Sequence, residues 1–260
     1  MDNYQKEFIA TFKEFYRHRK HEVFRDFCEL AATAISNGCD KSQFDVRESQ
    51  YMNIVGKYEK KEVSNFPRLL ALIVESLTLG LHDCLGELFM TMEMSDHWKG
   101  QFFTPFEVCK LMAEISFDGL SNKLKPKGFV TVSDPACGAG AMLIASANSM
   151  AEQGFSYQSC LHVTAQDIDL IAVHMAYIQL SLLNIPAVVI HGNSLIPEKT
   201  WSCWYTPAHI MGDWSGKLRS NEVIEPSLIQ SENMIANQAQ DELFTFQVKP
   251  TGKGKQISLF

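Results

Sequence analysis

The sequence predicts a mixed α/β protein: a helical amino-terminal region leading into a parallel sheet with helices on its faces. Three observations carry this. Apolar residues over the first 95 positions recur at the three- and four-residue spacing of a buried helix face. After Gly100, short β-branched runs alternate with helical segments, the order that builds parallel strands joined by crossovers. A glycine-bearing turn then sits directly at the end of the first such strand.

The helical region is read from Phe8, Phe12 and Phe15, then Phe24, Phe27, Leu30, Ala31 and Ala34, with Asn37-Gly38 ending the pattern. A second buried helix runs from Pro67 through Leu69, Leu70, Ile73, Leu77 and Leu81. Between them, Val46 to Glu62 is densely charged and reads as a solvated helix. The basic cluster Arg17, His18, Arg19 and Lys20 is placed on the first helix, either as a solvated face or as a phosphate contact. Thr104-Pro105-Phe106-Glu107 has the form of a capping box opening a helix. Strands are expected at Phe129–Ser133, Val163–Gln166 and Ala187–His191, with Pro186 at the start of the third. From about Ser215 the pattern dissolves. SENMIANQAQDELF has the makings of one helix, and KPTGKGKQISLF reads as a flexible tail. The expected divisions are residues 1–95, 96–214 and 215–260.

Composition narrows the classes. With 46% hydrophobic and 20% charged residues, the chain has a globular balance rather than that of a disordered or fibrous protein. No apolar run approaches bilayer-spanning length, and the amino terminus lacks the apolar core of a secretory signal. The 30 acidic against 23 basic residues give a net charge of -7, which argues against nucleic-acid binding through global charge and leaves room for a local basic groove. Seven cysteines without a C-x-x-C pair make a zinc site unexpected, so no metal is anticipated, and the odd count fits a reducing cytoplasm.

The chemistry concentrates at the strand ends. Asp134-Pro135-Ala136-Cys137-Gly138-Ala139-Gly140 lets the backbone turn tightly and approach a ligand. Asp167, closing the second strand, has the carboxylate to accept hydrogen bonds from both hydroxyls of a ribose, while Asp169 is better placed to cap the next helix. His191-Gly192-Asn193-Ser194 closes the third and offers an amide toward a purine edge. Loop, acid and amide together describe an adenosine-containing cofactor. Cys137 is small and buried in a tight turn, a position that asks for no nucleophile.

GQFFTP (Gly100–Pro105), DPACGAGAML (Asp134–Leu143), the QDID acid and GNSL (Gly192–Leu195) resemble the N6-adenine DNA methyltransferases, nearest the modification subunits of type I restriction systems. The resemblance covers roughly residues 95–210 and implies a truncated Rossmann-like methyltransferase sheet that binds S-adenosylmethionine. It places Phe103, Thr104 and Pro105 near the methionine end. Asp134, Ala136, Gly138 and Gly140 would form the loop, Asp167 would hold the ribose and Asn193 the adenine. The family's Asn/Asp-Pro-Pro-Tyr/Phe tetrapeptide, whose polar groups accept the hydrogens of the target amine and whose ring stacks on the flipped base, is missing. At the expected spacing stands Tyr205-Thr206-Pro207-Ala208-His209. Thr206, Pro207 and His209 are therefore the candidate catalytic positions, with Thr206 a weaker acceptor and His209 a stacking ring. The alternative is a strand and turn whose partners fill the core. Two functions stay open: a minimal adenine-N6 DNA methyltransferase, or a cofactor-binding relative without transfer that acts as an accessory module. DNA specificity would be recruited elsewhere, for example from a separate specificity protein. Finally, Gln256-Ile257-Ser258-Leu259-Phe260 resembles the bacterial sliding-clamp-binding pentapeptide. Leu259 and Phe260 would fill an apolar pocket and Gln256 would supply a hydrogen bond, tethering an acidic protein near DNA.

Overall fold

A computed structural model describes residues 1–93, 103–124, 127–196 and 198–222. The chain divides into two units, Met1–Trp214 and Ser215–Phe260. Helices α1 (Asn3–Phe12), α2 (Lys20–Cys39), α3 (Phe44–Val55), α4 (Lys60–Val63), α5 (Asn65–Leu77) and α6 (Cys84–Thr91) come first. Then follow α7 (Phe106–Ser116), α8 (Leu120–Leu124), β1 (Val130–Asp134), α9 (Ala141–Glu152), α10 (Tyr157–Cys160), β2 (Leu161–Asp167), α11 (Leu170–Leu182) and β3 (Ala187–Gly192). β4 (Thr200–Tyr205), α12 (Pro207–Met211) and α13 (Trp214–Glu222) complete the described elements.

The aromatic spacing of the first helices does what it predicts. Phe8 and Phe27 meet edge to face at 5.3 Å, while Phe15 and Phe66 at 4.9 Å and Phe24 and Phe89 at 5.6 Å pack with tilted rings. This aromatic cluster is continuous with the apolar packing under the sheet, so one core runs from Phe8 to Trp204. Helix α11 (LIAVHMAYIQLSL) is apolar on every side and correspondingly buried, packed between the sheet and α2.

Several local expectations shift. Helix α2 continues through Asn37 and Gly38 to Cys39, because a glycine in a last turn costs little, and Ala34 faces solvent rather than the core. The charged stretch after Val46 is not wholly solvated. Arg47 is only 5% exposed, and Tyr58 and Glu62 are buried. Arg17, His18 and Arg19 of the basic cluster lie on the connection between α1 and α2, and Lys20 opens α2. Arg17 pairs with Glu59 and His18 lies 3.5 Å from Glu62. The capping box at Thr104 does not form. Pro105 is the N-cap of α7 and no side chain caps it, so the helix starts one residue later than the motif suggests.

The sheet has four strands in the order β1-β2-β3-β4. β1, β2 and β3 are parallel, as the strand–helix alternation predicts. β4 runs antiparallel to β3, pairing Val188 with Tyr205 and Gly192 with Thr200. The carboxyl ends of β1, β2 and β3 therefore gather at one end of the sheet, while β4 finishes at the other. Gly192 permits the crossing, since a Cβ there would lie 2.8 Å from the Lys199 carbonyl oxygen.

At the amino end of the parallel strands lies a buried histidine pair, His162 Nε2 and His209 Nδ1, 2.9 Å apart. Burial lowers both pKa values, and burial together with the smaller effect of His209 takes His162 to about 4. Burial likewise lowers His174 to about 3. The unfolded chain takes up these protons near the ordinary histidine value of about 6.5, well before the folded chain does. Stability is therefore expected to be fully present above about pH 6.5 and to fall progressively toward pH 4. Urea midpoints measured across that range check it, with His162→Asn flattening the slope.

Candidate functional site

The turn after β1 is fixed by its own backbone and by its neighbour. Asp134 Oδ1 accepts the Ala136 amide at 3.0 Å, closing the first bend. The Cys137 amide donates to the Gln166 carbonyl at 2.9 Å, tying the turn to β2. The Gly138 amide donates to Asp167 Oδ2 at 2.9 Å. Gly138 and Gly140 have φ of +54° and +94°, the left-handed region that glycine enters without a Cβ penalty. Gly140 then serves as N-cap of α9 with no side-chain cap. The Leu143 amide donates to the Gly140 carbonyl at 3.0 Å, which leaves the Ala141 and Met142 amides as the ones suited to a polar or anionic ligand group.

Asp167 holds the centre. Its Oδ1 accepts the Asp169 amide at 2.9 Å while Oδ2 holds Gly138, so each oxygen keeps a further lone pair directed elsewhere. Asp169 caps α11 by accepting from the Ile171 amide at 2.9 Å, as its place two residues past the strand end predicts. Cys137 is buried, and desolvation, reinforced by the neighbouring Asp167 and Asp134 charges, pushes its thiol far above the ordinary value. A thiol held protonated in this way is no nucleophile.

Phe103 reaches the same loop. A Cβ on Gly138 would lie 2.8 Å from its ring, so the pair fits only with glycine at that position. Phe103, Thr104 and Pro105 also border a cavity of about 460 Å³ together with Asp83, Glu87 and Met90. Thr104 is exposed and does not cap the helix. Asn193 follows β3, and its side-chain carbonyl accepts the Leu195 amide at 3.0 Å, which leaves its amino group and one carbonyl lone pair to offer.

The candidate catalytic residues lie elsewhere. The Thr206 hydroxyl accepts the Ala187 amide at 2.9 Å and donates to the Ile185 carbonyl at 2.9 Å, and Thr206 is fully buried. Ala187 opens β3, whereas the candidate cofactor residues stand at its far end, roughly 16 Å away at about 3.3 Å per residue. Pro207 is the first residue of α12, and His209 is locked into the buried histidine pair. The antiparallel course of β4 carries all three away from the glycine turn. Here Thr206 caps α12, Pro207 opens it and His209 pairs with His162, the contacts that the strand-and-turn alternative expects.

One important residue is not apparent from motif reading. Gln179 Nε2 donates to Asp83 Oδ1 and to the Ala139 carbonyl, each at 2.8 Å, and its Oε1 accepts the Leu85 amide at 2.9 Å. It thereby joins the glycine turn to the start of α6, whose N-cap Asp83 also accepts the Gly86 amide. Burial raises the Asp83 pKa while the Gln179 and Gly86 hydrogen bonds pull it back. A lone amide inside an otherwise apolar helix is the signal that identifies Gln179. Among the described residues, no group of three or more metal-ligating side chains is assembled, and no helix is long and apolar enough to cross a membrane.

Residues 83–219 match the family model for N-6 DNA methylases. A solved Listeria monocytogenes structure, provisionally described as a class I S-adenosylmethionine-dependent methyltransferase, aligns with 75% of this chain at 16% identity and a TM-score of 0.41. The alignment covers 55% of that protein, so this chain spans little more than half its length. No curated protein matches the chain.

Gln179→Leu is expected to orphan the Leu85 amide and the Ala139 carbonyl, to leave Asp83 with the Gly86 amide alone, and to lower unfolding stability by about 2–4 kcal/mol. Urea denaturation measures this directly.

Proposed function

Because the chain belongs to the N-6 DNA methylase family, we propose that it binds S-adenosylmethionine at the carboxyl ends of β1, β2 and β3 and serves adenine-N6 methylation of DNA. The observation that supports this most is the hydrogen bond from the Gly138 amide to Asp167, which makes the turn and the acid one preformed unit. The donor set fits such a cofactor. Asp167 retains acceptor capacity for ribose hydroxyls, the start of α9 has no side-chain cap and suits a carboxylate, and the Phe103 ring lies against Gly138 of the turn. When bound, the cofactor supplies an electrophilic methyl group. The protein's part is to orient it, with Gly138 and Gly140 allowing close backbone approach and the Cys137 thiol kept inert.

A second reading is favoured by the placement of Thr206, Pro207 and His209 at the opposite end of the sheet. With no amine acceptor from that segment beside the glycine turn, the chain acts as a cofactor-binding relative that transfers no methyl group by itself. Its DNA contact would then depend on a separate specificity or modification partner. The residues Gln256, Leu259 and Phe260 lie outside the described residues. For them the proposal is unchanged: a bacterial sliding clamp receives the pentapeptide and keeps the protein near DNA.

Calorimetry with S-adenosylmethionine is expected to show saturable binding that Asp167→Ala abolishes and His209→Ala retains. Labelled cofactor mixed with the protein and unmethylated DNA then separates the readings. Label in adenine supports the enzyme, and binding without label supports the non-transferring relative. For the tail, deletion of residues 256–260 is expected to abolish binding to the purified clamp. Equal binding by both forms removes that assignment.

A further inference from the structure

A cavity of about 530 Å³ opens between α2, α3, the start of α11 and the β3–β4 edge. Its walls include Glu29, Arg47, His191, Trp201 and Tyr205, and none of the cofactor residues borders it. A volume of this size suits a small ligand or an inserted side chain.

The charges on its walls do not cancel. Asp40 and Arg47 form a buried pair at 3.3 Å, and Arg47 also donates to the Cys203 carbonyl at 2.9 Å. The guanidinium lies 3.9 Å over the Trp204 ring, so Arg47 is fully engaged within the protein. Burial holds His174 neutral, with its pKa at about 3, and lowers that of His191. That leaves Glu29. It is half-buried and has no hydrogen bond or ion pair among the described residues. Burial, helped by the Asp26 charge, raises its pKa. Arg25 and Lys57, whose fields reach it, are themselves held on Asp26 at 3.1 and 3.2 Å.

Facing the same space are aromatic surfaces that the core leaves uncovered. The Trp201 indole is 53% exposed and rests on the His191 ring at 4.7 Å. Tyr205 is 37% exposed. A partly desolvated carboxylate without a counter-charge attracts a cation, and an exposed indole face attracts it through the ring quadrupole. The same carboxylate repels phosphate and so disfavours a nucleic-acid backbone. We propose that this cavity binds an organic cation, an alkylammonium or guanidinium group, between the Glu29 carboxylate and the Trp201 indole.

The cation has two sources, a free amine or a basic side chain presented by another protein, and two probes distinguish them. The full-length protein is titrated, by calorimetry and tryptophan fluorescence, with agmatine and separately with acetyl-Gly-Arg-Gly-amide. Saturable binding of at least one probe is expected. Glu29→Gln and Trp201→Ala are each expected to weaken it by about fivefold or more while the circular dichroism spectrum stays unchanged. Agmatine binding marks a site for free amines. Binding of the peptide alone marks a site for a partner's basic side chain. Failure of both probes to saturate by about 10 mM, a concentration that would reveal even a millimolar site, overturns the proposal. Glu29→Gln binding as tightly as the unaltered protein also overturns it. Should Glu29→Gln fail to fold, Trp201→Ala at an already exposed position carries the same decision.

Discussion

The hydrogen bond from the Gly138 amide to Asp167 is the constraint on which the rest of the site depends. It joins the turn after β1 to the end of β2, so the two features of the proposed nucleoside site are set in place together. The bond is protected from both sides. The Cys137 amide holds the turn to the Gln166 carbonyl, and Gln179 holds the Ala139 carbonyl from beneath. A turn with two left-handed glycines gives up much backbone entropy on folding, and these bonds to rigid elements offset it. Pre-organisation of this kind favours ligand binding because little ordering remains to be done when the ligand arrives.

The direction of β4 governs what the site lacks. A fourth parallel strand would have brought its carboxyl end to the glycine turn. An antiparallel one brings its amino end there instead and sends Thr206 to the opposite end of β3. The residues that look catalytic by spacing thus become a helix cap and a buried histidine pair. The same reversal lays Trp201 and Tyr205 along the sheet edge, where they border a cavity separate from the glycine turn. One strand's direction accounts for both observations.

Much of this was legible in the sequence, and the failures have physical causes. Strand positions were readable because β-branched runs were bounded by turn residues, and the acid at Asp167 announced itself by standing at a strand end. The direction of β4 is not apparent from the strand itself, only from the length of its connection. The run TWSCWY has no periodicity that separates parallel from antiparallel pairing, and direction is set by the short connection from Gly192 to Thr200. The capping box at Thr104 failed because Pro105 adopts extended backbone and takes the cap position itself. Arg47 read as solvated because its neighbours are charged. Its burial depends on Asp40 and the Cys203 carbonyl, partners that no local window contains.

The central claim is that the Gly138–Asp167 unit seats the adenosine part of S-adenosylmethionine. Amide NMR of the isotope-labelled protein during titration with this cofactor tests it most directly. The account predicts saturable shifts centred on Gly138, Gly140 and the amides from Asp167 to Asp169, with the Thr206–His209 amides unmoved. Unchanged spectra at millimolar cofactor, or shifts confined to the Thr206 end of the sheet, would contradict it.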